Sequence, residues 1–303
     1  MFEDERDCDY ISSRGIMKCC DFFSKTPHSG IGRIINYDFT NLHKYKIPVI
    51  YICNTAIKHF YDMLFPQLQT KFILVSGDSD STMPYDILKI EQFNNLINND
   101  KLVHWFCQNL SIKHPKMTIM PIGLDYHTMV SNNIYWGPKM SSLEQEKQLM
   151  NLKKIPFWER ELKGYSNFHL TISGKRYTSD RTEAINNIPK DLMFYEDKLV
   201  DRITSWNNQL KYTFCVSPLG NGYDCHRTWE GLCLGCIVIV KTSCLDELYE
   251  NLPILIVSDW KEVNKELLEK TVYEFKIKHD NNEFNYNKLK LKYWLNKIEK
   301  CKK

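Results

Sequence analysis

No stretch of this 303-residue chain approaches the length needed to cross a bilayer; its apolar runs are short, such as Ile73-Leu-Val75 and Ile237-Val-Ile-Val240. The amino terminus, Met-Phe-Glu-Asp-Glu-Arg-Asp, is acidic and lacks the basic start and apolar core of a secretory signal, which predicts a cytoplasmic protein. Charge of one sign is scarce too. A net charge of +3 without a concentrated basic face excludes the counterion-release affinity on which nucleic-acid binders depend. No Gly-x-Gly-x-x-Gly opens a first strand–helix unit, which argues against a nicotinamide enzyme; Gly220-Asn-Gly222 comes late and has no third glycine. Cys233 and Cys236 form a Cys-x-x-Cys without a second pair at metal spacing, so no metal is expected there. Internal repeats and low-complexity segments are absent.

What is present is the composition of a globular protein, with 43% hydrophobic and 25% charged residues in a chain long enough for two domains. The eleven cysteines are an odd number, and Cys53, Cys107, Cys215 and Cys233 sit inside apolar runs, which predicts reduced, buried thiols. Asn109-Leu-Ser111 is a glycosylation sequon that a cytosolic protein would not use.

Strand patterns at 47–53, 71–76, 103–107 and 117–122 alternate with helical patterns at 55–65 and 86–98. A polar helical pattern covers 141–154, and Pro156 and Gly164 mark 155–166 as the boundary between domains at 1–160 and 161–303. Beyond it a strand is expected at 168–173, then a basic loop through Lys175, Arg176 and Arg181 that could help neutralise a diphosphate, then a helix. Short helix, strand and helix patterns follow at 245–250, 254–257 and 260–275. The alternation predicts an α/β protein of doubly wound type. In the tail, Leu291, Trp294, Leu295 and Ile298 lie at helical spacing among lysines. That stripe is expected to pack on the body, with weak membrane-surface contact as the alternative.

The most informative stretch runs from Tyr212 to Val240: an apolar strand ending at Pro218, a loop with Gly220, Asn221 and Gly222, a helix stopped by Gly235, and a second apolar strand. A helix that starts after such a loop exposes unpaired N–H groups suited to a phosphate. Asp224 is placed to act as N-cap. His226, Arg227 and Glu230 project from one face near the helix start, so that a guanidinium can grip a diphosphate and a carboxylate can accept from ribose hydroxyls.

The run Ser217-Pro-Leu-Gly-Asn-Gly-Tyr-Asp-Cys-His-Arg-Thr-Trp-Glu-Gly-Leu-Cys-Leu-Gly-Cys-Ile-Val-Ile-Val-Lys241 resembles the donor-binding signature of exostosin-like and related glycosyltransferases. The close resemblance covers about residues 212–260, and departs at Val238, where related sequences usually have proline. It implies a GT-B-like architecture, two Rossmann-like α/β domains facing a cleft. It also implies transfer from a nucleotide sugar to a glycan or protein acceptor, with Arg227 and Glu230 at the donor's diphosphate and ribose.

In an open α/β sheet ligands sit beyond the carboxyl ends of strands, which makes the amino-terminal loops at 77–84 and 123–127 the acceptor side. Asp125 is the first candidate for the base that takes the acceptor proton, followed by Asp78 and His127. Helix N–H groups and Arg227 would stabilise the leaving diphosphate without a metal. The only Asp-x-Asp spacing considered for a cation, Asp78-Ser-Asp80, lies in the other domain. A nucleotide- or sugar-binding protein without turnover is the competing expectation.

Overall fold

A computed structural model describes residues 5–24, 39–131, 136–168, 170 and 176–303. It is an α/β structure with two parallel sheets. The first holds β1 (Val49–Cys53), β2 (Phe72–Gly77), β3 (Leu102–Gln108) and β4 (Met117–Met120) in the order β1-β2-β3-β4. The second holds β5 (Glu161–Ser166), β6 (Met193–Tyr195), β7 (Tyr212–Val216), β8 (Ile237–Lys241) and β9 (Ile254–Val257) in the order β6-β5-β7-β8-β9.

The near-continuous apolar runs reflect burial on both faces, as parallel sheets require. In β2 all six residues are buried, and in β7 all five. Ile73, Val75 and Phe106 share one apolar cluster with Cys215, Trp229 and Val238, so a single core joins the two halves. A second cluster lies behind the first sheet around Phe60, Phe72 and Trp105, and a third behind the second sheet around Phe214, Ile239 and Trp260.

The chain returns at its end to where it began. Leu291 N donates to Asp9 O, and Ile11 N donates to Leu289 O, both at 2.9 Å. The helix Leu291–Lys300 buries Leu291, Trp294 and Ile298. Its apolar stripe is thereby used in packing, and the face that membrane contact would need is occupied. Although counted with the second domain in the sequence, this helix packs partly against the amino-terminal helix Ser13–Lys18. No helix among the described residues is long and apolar enough to cross a membrane.

Several elements differ from the sequence expectation: no pattern announces Ser13–Lys18, Met193–Tyr195 or Arg202–Gln209, and 260–275 divides into Trp260–Glu262 and Lys265–Asp280. The helical stretch 55–65 is broken into 3-10, α and π turns, Asn54–Ala56, Ile57–His59, Phe60–Leu64 and Phe65–Gln67. The first strand of the second half is Glu161–Ser166, inside the segment read as a linker. Phe168 lies outside it, and 171–173 are outside the described residues. Gly164, which suggested a linker, is a close-packing position in that strand. A Cβ there would stand 2.7 Å from Val216 Cγ2 and 2.8 Å from Met193 Sδ.

All eleven cysteines are free; Cys107, Cys215 and Cys233 are buried as expected, while Cys53 is half-buried. Cys236 is engaged by Arg160, whose Nη1 lies 3.3 Å from its sulfur. Asn109 of the sequon is fully buried, donating through Nδ2 to Ser79 O at 3.0 Å and accepting from Asp224 N at 2.9 Å, which bars glycosylation in the folded chain.

Candidate functional site

The strand–loop–helix unit folds as its sequence pattern suggests. From β7 the chain enters a loop, and the helix His226–Cys233 follows, with Thr228, Trp229, Gly231 and Leu232 buried. The loop is held from the neighbouring helix Thr178–Asn187, where Asp180 Oδ2 accepts Leu219 N at 2.8 Å and Arg181 Nε donates to Leu219 O at 3.2 Å. Arg181 therefore stands on a helix and not on the preceding loop. Lys175 lies outside the described residues.

A cavity of about 290 Å³ opens at the amino end of the His226 helix, with walls from both halves. Arg181, Gly220, Asn221, Asp224 and Cys225 line it, together with His226, Arg227 and Glu230 on one helix face. Asp80, Ile122 and Asp125 come from the amino-terminal half, and Trp136, Asn167 and Arg202 complete the wall.

Three guanidinium groups border this cavity, and two of them, Arg181 and Arg227, are close enough to repel each other. Arg227 Nε donates to Asn167 Oδ1 at 3.3 Å and its guanidinium carbon lies 5.3 Å from the Phe168 ring centre. Its Nη1 is buried with no hydrogen-bond partner among the described residues. Burial, then the charge of Arg227, bring Arg181 down to about 10. Its Nη2 would lie 3.4 Å from a Cβ placed on Gly220, which puts it over the loop. Two neighbouring cations, one with a buried donor lacking a partner among the described residues, beside a helix start without a side-chain cap are the kind of groups that bind anions.

Several expected roles need correction. Asp224 does not cap the helix: Cys225 is the N-cap residue, and the Asp224 carboxylate, 3% exposed, accepts from Ile122 N, Cys225 N and Trp229 Nε1. It is a bracket between the halves. Gly222 serves the same junction, since a Cβ there would meet Asp80 O at 3.0 Å and Asn109 Nδ2 at 3.2 Å. The room this glycine leaves is taken by the other half's backbone.

Asp125 lines the cavity, yet its carboxylate is already engaged. Its Oδ2 pairs with Arg202 Nη2 at 3.1 Å, its Oδ1 accepts Thr128 N at 3.1 Å, and its carbonyl accepts Arg202 Nη1. Burial pushes this carboxyl up, but the charges of His127, His226 and Arg202 together hold it well below the usual carboxylate range. So stabilised an anion is a weak base. Asp78 is turned aside from the cavity, with Arg14 Nε 3.6 Å from its Oδ2, and Asp80 takes the position facing the site. His127 is not among the lining residues; its Nδ1 lies 3.2 Å from Asp125 Oδ1, and burial brings it down to about 4 although Asp125 raises it.

His226 carries the base-like geometry instead. Its Nδ1 lies 2.7 Å from Gly123 O. A carbonyl only accepts, so Nδ1 carries a proton, and in the neutral ring Nε2 is then the nitrogen with the lone pair. Glu230 Oε2 accepts from Trp206 Nε1 at 3.3 Å, and its Oε1 lies 3.8 Å from Arg202 Nη2.

Arg202 is one of the lining residues that sequence reading missed. Its side chain, 5% exposed, joins Asp125, Glu230 and Gln145 Oε1 from the first turn of the helix Arg202–Gln209. One signal was available: a cation in the first turn opposes the helix dipole and needs anions to hold it there. Asn167, which pairs with Arg227, carried no such signal. Against the known proteins, no family model and no curated sequence matches this chain.

Proposed function

We propose that this protein is a glycosyltransferase that takes its sugar from a nucleotide-diphosphate donor, with the two-domain architecture of exostosin-like enzymes. The carboxyl-terminal half would hold the donor and the amino-terminal half a glycan or glycoprotein acceptor. The observation that supports this reading most is Arg227 Nη1, buried without a partner among the described residues, on a side chain that lines the same cavity as Arg181 at a helix start. As the bond from sugar to phosphate breaks, negative charge grows on the leaving diphosphate. Arg181, Arg227 and the N–H groups of the helix start, all at this cavity, would stabilise it, with no metal assigned a role.

His226 Nε2 would accept the proton of the acceptor hydroxyl, and Gly123 O holds the ring in the required tautomer. Glu230 would accept from the donor's ribose hydroxyls. Incubation with a panel of nucleotide sugars and candidate acceptors tests the reading; release of nucleoside diphosphate coupled to glycosylation is expected. The engagement of Asp125 by Arg202 favours one second reading, a donor-binding protein without turnover. Saturable nucleoside diphosphate binding with no transfer across the panel would select it.

A further inference from the structure

Four carboxylates line the cavity at the His226 helix, and three of them are committed. Asp125 is held by Arg202 and Thr128, Asp224 by Ile122, Cys225 and Trp229, and Glu230 by Trp206 with Arg202 close by. Asp80 alone is exposed, and its carboxylate has neither a hydrogen bond nor an ion pair among the described residues. It lines the same cavity as Arg181 and Arg227 yet pairs with neither. Its charge is nevertheless felt inside. Burial pushes the Cys225 thiol up, Arg227 and Arg181 pull it down, and Asp224 and Asp80 add to the rise. The loop that carries Asp80 is fixed from several sides. Asp78, left-handed at φ 53°, donates its N–H to Gln108 Oε1 at 2.9 Å, Ser79 O accepts Asn109 Nδ2 at 3.0 Å, and Ser81 N donates to Ser79 Oγ at 3.1 Å. The Asp80 backbone itself abuts Gly222 of the opposite half, where a Cβ would stand 3.1 Å from its Cα.

The cavity is therefore two-signed: uncommitted cations come from the carboxyl-terminal half and an uncommitted anion from the amino-terminal half. A diphosphate has no use for that anion, which repels it. We propose that Asp80 recognises the acceptor, accepting hydrogen bonds from its hydroxyls and rejecting acceptors that are themselves anionic, so that the acceptor is a neutral glycan; the assignment rests on the transferase reading given above. An ionised carboxylate only accepts, through two oxygens. Vicinal hydroxyls of a sugar ring can both donate to one such group, whereas a serine or threonine of a protein acceptor offers a single hydroxyl. A uronate, sulfate or phosphate on the acceptor would meet Asp80 as a like charge. His226 keeps the role of base, and Asp80 determines which acceptor reaches it.

Transfer by the whole chain to matched p-nitrophenyl glycosides and p-nitrophenyl uronides, and to serine- and threonine-containing peptides, tests this, with calorimetric titration of nucleoside diphosphate alongside. The neutral glycosides should be used about ten-fold or more better in kcat/KM than uronides of the same ring. Asp80→Ala should raise the KM for the neutral glycoside about ten-fold, with nucleoside diphosphate affinity unchanged or improved. Asp80→Asn, whose amide oxygen still accepts, should recover part of that KM and lose the discrimination against the uronide. An unaltered acceptor KM in Asp80→Ala, a preference for uronides, or transfer to peptides alone overturns the proposal while the donor site stands. A loss confined to kcat in Asp80→Asn also overturns it, by making Asp80 the base. Nucleoside diphosphate binding without transfer to any acceptor removes the transferase reading and this proposal together.

Discussion

Asp224 Oδ2 accepts the backbone N–H of Ile122 at 2.7 Å, across 102 residues of sequence and from one sheet's half to the other. The same carboxylate takes Cys225 N and Trp229 Nε1, so one buried side chain fixes the start of the His226 helix against the end of the first sheet. Burial is the largest influence on it and pushes its carboxyl up from 3.8 to about 6, against the pull of these donors and of His226. A raised carboxyl favours folding most when protonated: its contribution is full below the unfolded value and is lost as pH rises through about 6. Asp224→Asn removes this titration. Urea unfolding at pH 4.5 and 7 should show a stability difference between wild type and variant that changes by about 2 kcal/mol over that range.

Arg227→Ala removes a guanidinium whose Nη1 has no partner among the described residues and whose charge repels Arg181. The melting temperature should therefore hardly change, or should rise. Nucleoside diphosphate affinity should fall about 30-fold, roughly the 2 kcal/mol of one charge-assisted contact. Arg227→Lys should recover only part of it, because an ammonium cannot make the paired contact. An affinity equal to wild type in the alanine variant would dismiss Arg227 as an anion ligand.

Arg202→Ala should behave in the opposite way. Asp125 and Glu230 would be left near one another without their shared cation, and Gln145 Oε1 would lose its donor. Breaking a buried pair from one side costs about 3 kcal/mol or more. Urea denaturation should show that loss, and Asp125 should titrate closer to the ordinary carboxylate range by carbon-detected NMR.

These residues also show what sequence alone could disclose. The unit from Tyr212 to Lys241 was legible because its strand, loop and helix are contiguous, so 3.6-residue spacing alone places His226, Arg227 and Glu230 on one face. Asp224 was misread as a cap because its decisive partner, the Ile122 amide, is remote in sequence. The engagement of Asp125 was hidden for the same reason: Arg202, which holds it, lies 77 residues away. β5 was hidden by Gly164, a residue that looks like a breaker until Val216 and Met193 are seen to crowd it. Local periodicity reports the elements, whereas the charge state of a carboxylate depends on which distant cation the fold brings beside it.

His226 gives the sharpest division between binding and chemistry. It neighbours Arg227 in the sequence, yet its ring is fixed from the other half by Gly123 O, with the His127 ring edge-on at 5.9 Å. His226→Gln can still donate to that carbonyl through its amide, but it offers no nitrogen lone pair for a proton. Single-turnover transfer should fall by about 10²–10⁴, the range for loss of a general base, with nucleoside diphosphate affinity within a few-fold of wild type. Asp125→Asn should retain far more turnover, since its carboxylate is engaged by Arg202 and acts only through its neighbours. The reverse order, with the Asp125 variant inactive and the His226 variant active, would return the base to Asp125 and leave His226 as a wall of the donor cavity.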